Sequence, residues 1–201
     1  MAIRRSTRGA RSSSPASAAL PCAAFLAFAV TVAALAAPLP AAKTARDRAA
    51  WRAILHWPAQ CENGWRATAV PGAGIELMPT ATSGELVAVE CSPGAYQGDA
   101  MLYLVDPAKQ VTGPLVLRLY GDPGNGRPEL VMATTILGVL DFTEKTGTLT
   151  VLDKYRGLGD CGIYSTYRLE HEGFVLTGAR AKTACDGKPP FSPQRWPKLP
   201  A

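Results

Sequence analysis

Two cysteines, Cys161 and Cys185, bracket the segments 163–169 and 174–182, whose alternating apolar and polar residues are those of β-strands. Glu170-His171-Glu172-Gly173 joins them as a turn, so the pair reads as a hairpin. Pairing about that turn leaves the two cysteines near each other at the open end, within bridging range if the ends converge. Such a bridge closes a loop and contributes ~3 kcal/mol by the loop-entropy argument. Two further cysteines, Cys61 and Cys91, stand in the body of the chain. Four cysteines allow three pairings. The hairpin favours Cys161–Cys185, which leaves Cys61–Cys91 to tie the start of the first strand to the end of the third. A zinc site fits poorly, because the gaps are long, no C-x-x-C occurs, and His56 and His171 are the only histidines. No metal and no cofactor are expected.

Disulfides imply an oxidising compartment, and the start of the chain agrees. Arg4, Arg5, Arg8 and Arg11 precede an apolar run from Leu20 to Ala37, and Ala34-Leu35-Ala36 is an A-x-A cleavage site. That is the layout of a signal peptide over residues 1–36, with a cut as late as residue 42 as the alternative. The run is short and Ala-rich for a retained span. Arg4-Arg5 lacks the apolar residues that follow a twin-arginine pair. Cys22 comes before the apolar run, not after it, so it is no lipoprotein cysteine. The whole chain has 21 Lys+Arg against 16 Asp+Glu; without the four leader arginines the balance is 17 against 16. The basic charge therefore belongs to the leader, and no nucleic-acid partner is implied. The membrane is met only during export.

Beyond a linker and helix start over residues 37–50, residues 51–198 read as one disulfide-stapled β-rich domain. A short N-terminal helix is expected over 43–58, capped by Thr44 with Asp47 in its first turn, Trp51 and Leu55 on one face, and Pro58 at its end. From Cys61 the pattern turns to β. Strands are expected at 65–70, 75–78, 85–91, 101–105, 115–120, 129–134, 136–142, 148–152, 163–169 and 174–182, with turn chemistry between them. The fold class is mainly β, an antiparallel sandwich or open barrel with that helix. The proline-rich end, 189–200, is expected to lie extended along the domain.

Chemistry is sparse. Asp160, in Gly157-Leu-Gly-Asp160-Cys161-Gly162, is either a ligand group on a glycine-rich approach or a turn residue placing Cys161, and turn chemistry favours the second. Tyr96, Gln97 and Tyr164 are candidate partner contacts, with Tyr164 and Tyr167 on opposite sides of their strand. Asp122, Asn125 and Glu129 lack calcium-loop spacing. Ser92 and Ser165 lack a nucleophile motif, so no catalytic residue is assigned. Asp99, Asp106, Asp141, Asp153 and Asp160 form a hydrolase site only if the fold brings two together.

The ordered set Trp57-Pro58, Cys61-Glu62, Cys91 with Gly94-Ala95-Tyr96-Gln97, Gly157-Leu-Gly-Asp-Cys161-Gly, Phe174, Arg180, Cys185-Asp186-Gly187 and Trp196-Pro197 resembles a bacterial family of exported proteins, domain of unknown function family 1176. The resemblance spans about residues 51–198. It implies a periplasmic or secreted location and a single domain, and carries no activity or catalytic residue. The expectation is an exported envelope protein, a non-catalytic binding or accessory domain whose partner is an envelope protein or glycan. The alternatives are a periplasmic hydrolase built on carboxylates joined by the fold, and a structural envelope component. A concave pocket holding two carboxylates, one of them with a raised pKa, would favour the hydrolase. An exposed aromatic patch near Tyr96 and Tyr164 would favour binding.

Overall fold

The structure, a computed structural model, describes residues 47–68, 71–81, 84–106, 113–122, 126–171, 173–188 and 191–200. The expected leader and linker up to residue 46 lie outside the described residues, as does Thr44.

Helix α1 runs Arg48–Leu55. Its cap is Asp47, whose carboxylate accepts the Ala50 N–H at 3.0 Å. Trp51 and Leu55, one turn apart, are its buried face. His56 leaves the helix in the left-handed region at φ 52°. The next segment corrects the strand expected at 65–70, whose last two residues lie outside the description: Ala59–Ala67 is a second helix, α2. Cys61, Glu62 and Trp65 are buried at helical spacing. Gly64 interrupts the pattern because the helix needs it there; a Cβ would stand 2.7 Å from the Cys91 carbonyl oxygen.

Nine strands follow among the described residues: β1 (Ile75–Pro79), β2 (Glu85–Ser92), β3 (Gly98–Val105), β4 (Leu117–Gly121), β5 (Glu129–Ala133), β6 (Thr135–Thr143), β7 (Thr148–Lys154), β8 (Gly162–Glu170) and β9 (Gly173–Lys182). Seven form one antiparallel sheet in the order β1-β2-β3-β6-β7-β8-β9, and β4–β5 is a separate hairpin. The described residues are thus mainly β and antiparallel, as expected, and no closed barrel forms among them. Strand β6 serves both halves of the sheet. Its residues 135–138 pair with β3 and residues 139–143 with β7. The changeover falls at Gly138, at φ 144°, where a Cβ would meet the Leu152 carbonyl oxygen at 2.9 Å.

Three apolar clusters hold the described parts, the smallest of them Tyr120, Ile163, Ala179 and Ala181. Helices α1 and α2 cover Val87, Val89, Met101 and Tyr103 with Trp51 and Trp57. Elsewhere Leu86, Leu102, Leu117, Ile136, Leu149 and Tyr167 form a second cluster, which draws in the strand β4. The cysteines pair as Cys61–Cys91 and Cys161–Cys185. The first bridge bolts α2 onto β2, a correction to the strand-to-strand tie read from the sequence. Residues 191–200 lie along β9, where the Leu199 N–H donates to the Ala179 carbonyl at 2.9 Å and the Ala181 N–H to that of Pro197 at 3.0 Å.

The helical cap has a polar centre. Glu62, almost wholly buried, accepts from Arg48 Nε at 2.9 Å, Arg66 Nε at 2.7 Å and Trp57 Nε1 at 3.1 Å. The Arg48 guanidinium lies over the rings of Trp57 and Trp65, about 5 Å from each centroid. Burial alone would push the Glu62 carboxyl up, but the hydrogen bonds from Arg66, Arg48 and Trp57 win and hold it at about 2, below its ordinary 4.5. A depressed folded pKa adds stability that is fully present above the unfolded value and is lost as pH falls through the folded one. The protein should therefore lose urea resistance between about pH 4.5 and pH 2, and Glu62→Gln should flatten that part of the profile. An unchanged profile in the variant would remove Glu62 from the account.

Candidate functional site

The fold puts Asp160 at work inside the cysteine corner. Its side chain is 1% exposed. Arg156 donates to both carboxylate oxygens, Nε to Oδ1 at 2.8 Å and Nη2 to Oδ2 at 2.6 Å. The Gly187 N–H adds a third bond to Oδ2 at 2.6 Å, and Arg156 Nη2 also donates to the Cys185 carbonyl at 3.1 Å. The Arg156 hydrogen bonds hold the Asp160 carboxyl well below the usual carboxylate range. These contacts join the loop before Cys161 to the loop after Cys185, across the same gap that the disulfide spans.

Gln97 is a strand partner in all but name. Its Nε2 donates to Asp153 Oδ1 at 2.8 Å and to the Lys154 carbonyl at 3.2 Å, while Oε1 accepts the Lys154 N–H at 2.7 Å. Tyr96 beside it is 44% exposed and lies over Gly157. Tyr164 is half-buried on β8 between Leu152 of β7 and Arg180 of β9. Tyr167 points to the opposite side and is buried.

Of the five aspartates weighed in the sequence, Asp99 and Asp153 come within electrostatic reach of each other. Asp141 is exposed on β6 opposite Thr150, Asp106 follows β3, and Asp160 belongs to the cysteine corner. The group that joins Asp153 is instead Asp122, at the end of β4. Asn125, which like it lacks calcium-loop spacing, lies outside the described residues. Asp122 Oδ1 accepts the Gly126 N–H at 3.1 Å.

Asp122 and Asp153 line one cavity of about 240 Å³, between β4 and the sheet. Tyr120, Val151, Ser165 and Tyr167 line it with them. The walls follow from strand alternation. Val151 and Asp153 share one side of β7, and Ser165 and Tyr167 share one side of β8. Tyr120 is anchored by donating its hydroxyl to the Pro200 carbonyl. Burial pushes the Asp153 carboxyl up; the Gln97 hydrogen bond works against this, and the negative charges of Asp99 and Asp122 add to it. Burial also raises Asp99. The hydroxyls of Tyr155 and Tyr167 are pushed up to about 12, in both cases first by burial, and for Tyr155 also by Asp122. The Tyr167 hydroxyl is buried, with the Ser165 side chain as its polar neighbour.

No histidine lines the cavity, so Ser165 has no imidazole beside it. Among the described residues no group of three or more His, Cys, Asp or Glu side chains is placed to hold a metal ion. What the arrangement offers is recognition chemistry: carboxylate acceptors, neutral hydroxyls that donate or accept, and an apolar floor. No local pattern in the sequence marks Tyr120 or Tyr155. Ser165 and Tyr167 did carry one, a polar pair two residues apart on the strand side that also holds Ile163.

The family described as protein of unknown function (DUF1176) matches residues 5–199. The uncharacterized protein YpfG of Escherichia coli (strain K12) is 32% identical over 115 residues, which are 57% of this chain and 31% of that protein. The chain thus spans about a third of the length of the curated relative it matches. No solved structure matches.

Proposed function

The chain belongs to the DUF1176 family, and from that premise we propose that it is an exported binding domain that takes a small hydroxylated ligand, such as a glycan unit, in the cavity beneath β4. One observation carries the reading. A cavity of about 240 Å³ brings two carboxylates and two buried hydroxyl side chains, Ser165 and Tyr167, together, and no histidine lines it. Carboxylates and hydroxyls facing a small concave space are the groups that recognise polyols. Export is supported by the basic start, the apolar run and A-x-A site of the sequence and by the two disulfides. No helix among the described residues is long and apolar enough to cross a membrane.

A hydrolase remains the second reading, favoured by Asp153, which burial and neighbouring carboxylates raise beside Asp122. Binding comes first because Gln97 and the adjoining strand fix Asp153 through Oδ1 and the Lys154 backbone.

The test is native mass spectrometry of the oxidised protein recovered from a bacterial envelope, followed by NMR titration with neutral mono- and disaccharides. The expected result is a co-purifying small molecule, and shifts at Val151, Ser165 and Tyr167 that vanish in Asp122→Asn/Asp153→Asn. Released product on incubation with a disaccharide would move the assignment to the hydrolase. Shifts confined to the Tyr96 and Tyr164 surface would abandon the cavity.

A further inference from the structure

We propose that the helical cap carries a site for a phosphate group, in the cleft lined by α1, α2 and the residues 72–73 ahead of β1. It shares no lining residue with the cavity beneath β4.

The cleft holds about 570 Å³, within the ~300–1,000 Å³ of ordinary small-ligand sites. Its charge is one-sided. Arg48 and Arg52 of α1 and Arg66 of α2 line it together with a single carboxylate, Glu62. Glu62 is shared between Arg48 and Arg66, so those two guanidiniums leave one positive charge over. Arg52 adds another. It stands one turn after Arg48, where like charges repel, and α1 holds no acid between Arg48 and Leu55. No carboxylate pairs with Arg52 among the described residues. Of the acids nearby, Asp47 is spent on the Ala50 N–H, and Glu90, whose charge reaches Arg48, does not line the cleft. Outside the described residues the sequence holds one acid, Glu172, between β8 and β9.

Arg48 supplies a second, independent feature. Its side chain is 10% exposed and is fixed against the rings of Trp57 and Trp65. Nε donates to Glu62 and Nη1 to the Ala73 carbonyl at 2.9 Å, but Nη2 is buried with no acceptor among the described residues. A buried charged donor costs free energy until something supplies its acceptor. The ring contacts also hold the guanidinium in place before any ligand arrives, which lowers the cost of binding one. Donors from three arginines suit a phosphate group, with its three strong acceptor oxygens, better than a carboxylate with two.

The test is calorimetric titration of the oxidised protein with inorganic phosphate, methyl phosphate and acetate, at one ionic strength set with sodium chloride. Both phosphates are expected to bind at least about ten-fold more tightly than acetate, as one further charge-assisted bond implies. Arg52→Gln should weaken both by about ten-fold or more. The same variant should keep the urea midpoint of the parent, or exceed it slightly, in phosphate-free buffer, because a like-charge pair is removed. Arg52→Lys should fall between the two, since it keeps the charge and loses the planar fork. Vesicles of phosphatidylcholine with and without phosphatidic acid distinguish the source of the phosphate. Competition between phosphatidic acid and methyl phosphate would put the group on a lipid; indifference to the vesicles would put it on a soluble molecule, and both results keep the site. Phosphate binding that Arg52→Gln leaves unchanged would overturn the site. So would acetate binding as tightly as phosphate, or no binding by any probe.

Discussion

Gly162→Ala should destabilise the oxidised protein by at least about 3 kcal/mol, the upper range for a strained backbone, because a clash is added to the strain. Gly162 sits at φ 145°, a region that L side chains rarely enter. A Cβ there would lie 2.0 Å from the carbonyl oxygen of Asp153 on the neighbouring strand. Neither atom belongs to a flexible side chain, so the β7–β8 ladder itself must move. The displaced residue is the one that presents its carboxylate to the cavity. Stability and ligand binding should therefore fall together, read as a lower urea midpoint and a weaker titration. A variant within about 1 kcal/mol of the parent, below the strain expected for such a residue, would show that the two strands are not this close.

The second large effect concerns Trp51. Trp51→Ala should cost about 3–5 kcal/mol, the range for emptying a buried aromatic site. Trp51 is 0% exposed and packs among Val87, Met101 and Tyr103 under the helical cap. Trp51→Phe should cost well under half as much. The indole Nε1 is buried with no hydrogen-bond partner among the described residues, so Phe removes an unmet donor along with part of the ring. Urea unfolding of both variants checks this. Equal losses would mean that Nε1 makes a bond important to the fold.

The closing hairpin was legible because its information is local. The turn at 170–173 sets the register, and Glu170 faces Gly173 with Tyr167 opposite Leu176. Beyond that point Thr166 faces Gly178, so one extra residue, Thr177, is absorbed in β9 as a bulge. The bulge leaves Cys161 and Cys185 within bridging distance, with Cα atoms 5.0 Å apart. Helix α2 was misread for a reason that only the fold supplies. Asn63-Gly64 is turn chemistry on its own, but Gly64 lets the helix backbone touch the Cys91 carbonyl. Tertiary contact overrode local propensity there.

The cavity was the least legible part. Asp122 and Asp153 belong to strands that neighbour each other neither in sequence nor in the main sheet, because β4 lies outside it. No spacing rule encodes that meeting. Asp160 shows the converse. Its glycine-rich setting is visible in the sequence, but the partners that occupy its oxygens are Arg156, one turn away, and Gly187, on the far side of the disulfide.

The chain end that lies along β9 has a bearing on colloidal behaviour. Strand β9 is the last strand of the seven, and its outer rim would offer unpaired N–H and C=O groups to any extended peptide. Residues 197–199 occupy that rim, through Ala181, Ala179 and the bridge between Arg180 and Lys198. The segment is itself a poor template for a further strand, since Pro193, Pro197 and Pro200 have no N–H to give. The sheet is thus terminated by a strip that cannot recruit a neighbour. Chains clipped before Phe191 should lose the packing of the buried Trp196 and, with the rim of β9 open, self-associate edge to edge, as oligomers that grow with protein concentration.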